Sequence, residues 1–198
     1  MQKNNKILLA SSNQGKLREF KKIFNGFELI SQAELGIDDA IEDGISFFEN
    51  ALKKARHGSK QSNLFTVADD SGLVVPELDY APGIYSARYA GEGASDKDNR
   101  DKIIAELNKK NVPSLDAFYV CVLVGVRSDL DSIPLYSIGE IHGKISTIGS
   151  GDGGFGYDKI FYPKGYSVSM ASIDAEEKNR ISHRGIAAKS FIKELEKL

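Results

Sequence analysis

The chain predicts an α/β fold on a mixed sheet, and three observations carry that prediction. Short apolar, β-branched runs alternate with stretches whose apolar residues recur at helical spacing. Two strand-like runs, Phe118–Val126 and Leu135–Ile145, follow one another with no helix between them, so the sheet is mixed rather than purely parallel. Finally, 198 residues with 41% hydrophobic and 27% charged side chains suffice for a proper core, in one domain or two closely joined lobes. No internal repeat, low-complexity tract or linker interrupts the chain, so residues 1–198 read as one domain.

The elements follow in order. Lys6 to Ala10 reads as a short buried strand, and the polar turn SSNQGK leads into a helix marked by Leu17, Phe20, Ile23 and Phe24. In SFFENALKKARHGSK, Ser46 and Glu49 form an S-x-x-E capping box, and Gly58 marks the approach of the helix end. LFTVADD is a second apolar strand that ends in two acids. Ser95 and Asp98 cap a helix through Ile103, Ile104 and Leu107. After the paired strands, Ser182 caps a last helix, in which Ile186, Ser190, Ile192 and Leu195 supply the amphipathic spacing.

Bulk properties narrow the function. A net charge of −2 offers no basic field for a nucleic-acid polymer or an anionic membrane. The longest apolar stretch, Ala117 to Val126, is too short to span a bilayer. The opening MQKNNKILLASSN lacks a long apolar region and a clear cleavage site, so export is not expected. The single cysteine, Cys121, lies in an apolar run and reads as core, which suits a reducing cytoplasm.

Three polar clusters could do chemistry. In SSNQGK a strand runs through a turn into a helix N-terminus, whose free N–H groups and positive dipole end suit a phosphate. Ser11, Ser12 and Asn13 add short donors, Gln14 and Gly15 complete the turn, and Lys16 adds a charge. An ordinary helix cap explains the same residues, because the full P-loop pattern is absent. In VADDSG, Asp69, Asp70 and Ser71 follow a buried strand, at the carboxyl end where ligands sit in open α/β sheets. Adjacent side chains of a strand point opposite ways, so one Asp faces a site and the other braces a turn. A plain Asp-Ser-Gly turn is the competing explanation. The third cluster, DDAIEDG, brings Glu42 and Asp43, which alone are no more than loop charges.

Together the clusters say more. If Lys16 and the first helix hold a polyphosphate beside Asp70 and Glu42, the like charges repel by about 4 kcal/mol at ~4 Å and an effective dielectric near ~20. A bridging cation removes that repulsion, and hard oxygen donors with phosphate select Mg²⁺. Three scattered histidines and one cysteine supply no zinc set. A carboxylate not fully used by the metal takes a proton from water, which outlines hydrolysis of a phosphate ester or anhydride.

Gly149, Gly151 and Gly154 spell G-x-G-x-x-G, but a dinucleotide loop needs a helix directly afterwards. FGYDKIFYP reads as strand or loop instead. Its Phe155 either stacks on a flat base brought close by the glycines, or packs in the core beside a tight turn. Near the C-terminus Lys178, His183 and Arg184 are three donors close in sequence. They form either a solvated turn or a pocket matched to a purine with an oxo group at C6, which rejects adenine's amino donor.

SSNQGK, ENALKKA, ADDSGL, PGIYSARYAG, GGFGYD and SHRG, in this order, closely resemble the inosine triphosphate pyrophosphatase family, also called XTP/dITP diphosphatases. The resemblance runs from Lys6 to the final helix. It implies an elongated mixed sheet with helices, two lobes and a central cleft. It also implies Mg²⁺-dependent hydrolysis of ITP, dITP and XTP to monophosphate and pyrophosphate, by a cytoplasmic homodimer. Position by position, the phosphate turn falls on Ser11 to Lys16, the metal-binding Glu on Glu42, and the proton acceptor and metal ligand on Asp70. Ser71 matches a substrate contact, Phe155, Gly156, Tyr157 and Asp158 the base pocket, and Lys178, His183 and Arg184 the remaining contacts. Lys159 stands where the family usually has Pro, which implies a looser loop. Two other readings remain: a non-enzymatic nucleotide sensor with the same turn and pocket, which gains little from a carboxylate aimed at phosphate, and a related pyrophosphatase of similar fold for pyrimidine or modified nucleotides, whose pocket would lack the SHR donors.

Overall fold

In the computed structural model, residues 6–197 are described; residues 1–5, the start of the segment read against export, and residue 198 lie outside them. Six strands form one sheet in the order β2-β1-β3-β4-β5-β6, with five α-helices among the described residues. Strand β1 (Lys6–Leu9) pairs in parallel with β2 (Glu28–Ser31) and β3 (Phe65–Val74), whereas β5 (Leu135–Ser146) pairs antiparallel with β6 (Phe161–Pro163). The sheet is therefore mixed, and β4 (Ser114–Val126) and β5 are neighbours as expected.

The chain divides into two compact units. The first takes residues 6–70, 121–139 and 184–197, and the second takes residues 71–120 and 140–183. Each unit has its own apolar cluster. In the first, Ile7, Leu9, Phe20, Phe24, Val67, Leu123 and Phe191 pack together. In the second, Leu73, Ile103, Leu107, Tyr119, Ile145 and Phe161 do so.

Helix α1 (Gln14–Ile23) starts where expected, with the Asn13 side chain accepting from the Lys16 N–H at 3.1 Å. Helix α2 (Phe47–Ser62) is capped by Ser46, whose hydroxyl accepts from the Glu49 N–H at 3.2 Å. The returning arm of the box differs from the sequence expectation, because the Glu49 carboxylate accepts from the Ile45 N–H at 2.6 Å. Gly58 also does not mark the helix end. It lies inside α2, where a Cβ would come within 2.9 Å of the Leu8 side chain and 3.1 Å of the Thr66 methyl, so its role is close packing on the sheet. The end is set by Asn63 in the left-handed conformation (φ 56°).

Helix α3 (Asp96–Lys109) carries the full Ser95–Asp98 capping box. Helix α4 (Ala175–Ile181) ends at Ser182, and α5 (His183–Leu195) follows at once. Beyond its buried first residues, His183 to Gly185, the buried face of α5 is Ala187, Ala188 and Phe191; Ile186 and Ser190, expected inward, are exposed. Two alanines let the helix approach closely, and the one aromatic then sets which stripe is covered. Strand β3 does not stop at its two acids. It continues through Ser71 and Gly72 to Val74, so Asp-Ser-Gly here is strand rather than turn.

Candidate active site

In the first unit, β1 leads through buried Ser11 and exposed Ser12, Asn13 and Gln14 into α1. The Ser11 hydroxyl accepts from the Asn13 N–H at 3.3 Å, so the turn is folded by its own side chains. Lys16 points back to β3, with its Nζ 2.8 Å from Asp69 Oδ2. Asp69, one of the two candidate acids, thus holds a lysine and braces no turn. Burial pushes its carboxyl up, yet Lys16, Lys54 and Arg184 outweigh that and bring its pKa down to about 2.

Asp70 faces a different set. Its Oδ2 accepts from Asn50 Nδ2 at 3.2 Å, and its Oδ1 lies 3.5 Å from Lys54 Nζ. Glu42 Oε1 lies 3.2 Å from the same Nζ, so one ammonium spans the two carboxylates. The loop carrying Glu42 is pinned nearby, where Asn50 Oδ1 accepts from the Gly44 N–H at 2.8 Å. Burial raises the Asp70 pKa above the ordinary carboxylate value; Lys54 and Lys16 oppose the rise, and Glu42 and Asp69 add to it. Burial acts to lower Lys54, but Asp70, Asp69 and Glu42 outweigh it, so Lys54 is a firm cation.

Asn50 and Lys54 are functional candidates that the residue-by-residue reading passed over. They sit one turn apart in ENALKKA, on the α2 face that also buries Ala51 and Ala55. A polar pair on an otherwise small, buried face is the signal that marks them.

Glu42 and Asp70 supply the hard oxygen donors that a divalent cation takes, and an oxygen of each lies within 3.5 Å of the Lys54 ammonium. Among the described residues no group of three or more His, Cys, Asp or Glu is placed to hold a metal. A metal on two carboxylates draws its other ligands from water and phosphate, as Mg²⁺ commonly does. Cys121 is fully buried, and burial pushes its thiol far up, which leaves it as core.

The base-pocket candidates lie in the second unit. Phe155, Gly156, Tyr157 and Asp158 form turns followed by β6, with no helix, which removes the dinucleotide reading. Asp158 is buried. Its Oδ2 lies 2.7 Å from Lys178 Nζ and accepts from the Phe155 N–H at 2.9 Å. Gly154 has φ +70°, and a Cβ there would lie 2.2 Å from Asp158 Oδ2, so glycine is required. The Lys178 Nζ also stands 5.1 Å from the Phe155 ring centre. His183, 2% exposed, stacks on Tyr119 with centroids 4.6 Å apart and planes 5° apart. Tyr157 donates to the Ser86 carbonyl at 2.8 Å, and burial holds its hydroxyl well above its usual range. Lys159 is half-buried, and its carbonyl accepts from the Ser150 N–H at 2.9 Å.

Ser71 is half-buried on β3, directly after Asp70. Arg184 belongs to the first unit, where its Nη1 lies 3.0 Å from Glu19 Oε2 on α1. The structure therefore groups Lys16, Glu42 and Asp70 through Asp69 and Lys54, and separately groups Phe155 to Asp158 with Lys178.

The Ham1 family matches residues 7–194. A protein of Acinetobacter baumannii (strain ACICU), named dITP/XTP pyrophosphatase, is 47% identical over 96% of this chain and 95% of its own. A Legionella pneumophila (strain Paris) protein of the same name is 45% identical over 91% and 93% of the two chains. Among solved structures, a HAM1 protein from Coxiella burnetii is similar with a TM-score of 0.89 and 38% identity, covering 98% of this chain and 99% of that one.

Proposed function

The chain belongs to the Ham1 family, and from that premise we propose that it hydrolyses non-standard purine nucleoside triphosphates (ITP, dITP and XTP) to the monophosphate and pyrophosphate. One observation carries the chemistry: Glu42 and Asp70 grip a single ammonium, in the same unit as the Asn13-capped helix start and Lys16. Acids gathered this way beside a phosphate turn suit a cation shared between protein and substrate.

Ser11 to Lys16 and the α1 N-terminus take the polyphosphate, through N–H donors and the Lys16 charge. Glu42 and Asp70 are the residues that would hold Mg²⁺, which when bound offsets phosphate charge. Asp70 orients a water and takes its proton. The water oxygen attacks the α-phosphorus, the α–β anhydride bond breaks, and pyrophosphate leaves with that electron pair. Lys16, held by Asp69, stabilises the negative charge that grows on the leaving oxygens. Ser71 and Arg184 are assigned to further substrate contacts. In the second unit, Phe155 to Asp158 receive the base, and Lys178 and His183 favour its 6-oxo edge.

The test is pyrophosphate release from ITP, XTP, dITP, ATP, GTP and dTTP, with Mg²⁺ and after chelation. Preference for the first three, lost on chelation, is expected. Asp70→Asn should lower kcat by more than about a hundredfold while nucleotide still binds; full turnover in that variant would sink the role. Binding without turnover marks a sensor, and preference for dTTP marks a pyrimidine enzyme. No helix among the described residues is long and apolar enough to cross a membrane. A cytoplasmic homodimer completes the proposal, checked by sedimentation of the purified chain and by cell fractionation.

A further inference from the structure

Gly156, in the middle of the base loop, is held on both sides by one helix. Its N–H donates to Asp96 Oδ2 at 2.7 Å, and its carbonyl accepts from Arg100 Nη1 at 2.7 Å. Asp96 and Arg100 stand one turn apart on α3, so they share a face. The α3 start is itself fixed by the Ser95–Asp98 box, which leaves the clamp little freedom to drift. Gly156 adopts φ +59°, with nothing within 4 Å of where a Cβ would sit. Its conformation is thus set by its two hydrogen bonds rather than by crowding.

We propose that Asp96 and Arg100 are positioning residues for substrate selection: by clamping both polar atoms of Gly156, they fix the loop that presents Phe155 to the base. The inference rests on the base-pocket reading above. The loop is a short bridge between two anchors. On one side Asp158 binds the Phe155 N–H and Lys178, and on the other α3 binds Gly156. Removing an α3 contact frees the Gly156 peptides to rotate, and φ +59° is no longer enforced. Phe155 then shifts against Lys178, which stands over its ring. Hydrogen bonds weaken steeply with angle, so a small displacement erodes the preference for an oxo over an amino edge more than it erodes turnover.

Two measurements on the full chain test this. Hydrogen exchange reads the clamp itself. The Gly156 amide should be protected in the unmodified chain, and residues 155–158 should exchange at least tenfold faster in Asp96→Ala and Arg100→Ala, with the rest unchanged. Steady-state kinetics read its consequence. Both variants should raise KM for ITP about tenfold and narrow the ITP to ATP ratio of kcat/KM, with kcat little changed and the melting temperature kept. Asp96→Asn, which keeps an acceptor, and Arg100→Lys, which keeps a donor, should restore most of the difference. Unchanged exchange at residues 155–158 would overturn the clamp. Faster exchange with an unchanged ITP to ATP ratio would overturn its role in selection, and so would failure of the conservative pair to rescue. If the unmodified chain shows no preference for ITP, the base-pocket reading fails, while the exchange result still decides the clamp.

Discussion

Asp69 is a buried carboxylate that stays ionised because Lys16, Lys54 and Arg184 offset its burial, with Lys16 reaching it from α1. Removing one charge of such a pair strands the other, at a cost of about 3–5 kcal/mol. Asp69→Asn should therefore destabilise the chain by that order, and it should also weaken substrate binding by letting Lys16 swing away from the phosphate turn. The stability effect depends on pH with a definite sign. The folded pKa is depressed to about 2, so the pair contributes fully above the unfolded value near ~3.9 and fades as pH falls from there towards 2. Chemical denaturation at pH 7 and at pH 3 checks this: the gap between the parent chain and Asp69→Asn should narrow at the lower pH. A constant gap would mean that the lost interaction is not ionic. The sequence exposed these acids but not their division of labour. Side-chain alternation says that Asp69 and Asp70 face apart; it does not say that one meets Lys16 and the other Asn50 and Lys54. Those partners come from α1 and α2, and nothing local to ADDSG encodes them.

At the scale of elements, legibility followed locality. The caps at Ser46 and Ser95 depend on residues three positions apart and were readable; Asn13, read as a donor to phosphate in a turn for which an ordinary cap was the competing explanation, also caps its helix. Strand β2 was not, because four residues, ELIS, carry too little periodicity to stand out; pairing with β1 makes them a strand. Gly58 shows the same limit. Seen alone, a glycine late in a helical pattern reads as a terminator. In the fold, β1 and β3 pass directly beneath it, and any side chain would strike Leu8, Thr66 and Ala10. Two opposing effects bear on a substitution. A β-carbon favours the helix by about 1 kcal/mol over glycine, whereas overpacking costs about 1–3 kcal/mol and grows with size. Gly58→Ala should thus be near neutral, and Gly58→Val should lower stability by about 2 kcal/mol or more. Thermal melts of the two variants separate the readings, since a helix-end glycine would tolerate both equally. The element also bears on function, because α2 carries Asn50 and Lys54. Gly58→Val should therefore reduce activity as well as stability if it lifts the helix from the sheet.

For the molecule as a whole, interleaved helix and strand patterns and two adjacent strand-like runs carried the mixed α/β sheet, and the six motifs in order carried the family, because a family signature integrates long-range contacts that local periodicity cannot. Two lobes were expected, but where the chain divides between them was not visible. Two apolar clusters form, each within one unit, yet the boundaries cut strands rather than linkers. Residues 65–70 of β3 belong to the first unit and residues 71–74 to the second; β4 and β5 are divided likewise. A strand cannot readily melt over half its length while its own backbone continues as sheet, so the chain should unfold in one cooperative step. Phe191, in the first cluster, and Phe161, in the second, are both fully buried. Truncating either to Ala should cost about 3–5 kcal/mol. For a chain of this size that lowers the melting temperature by roughly 10 °C. Calorimetry distinguishes the outcomes. A single transition with equal calorimetric and van't Hoff enthalpies, shifted as a whole by either substitution, is expected. If Phe161→Ala instead split off a low-temperature transition and left the remainder at the parent temperature, the units would be independent folding domains, and their shared strands would not couple them.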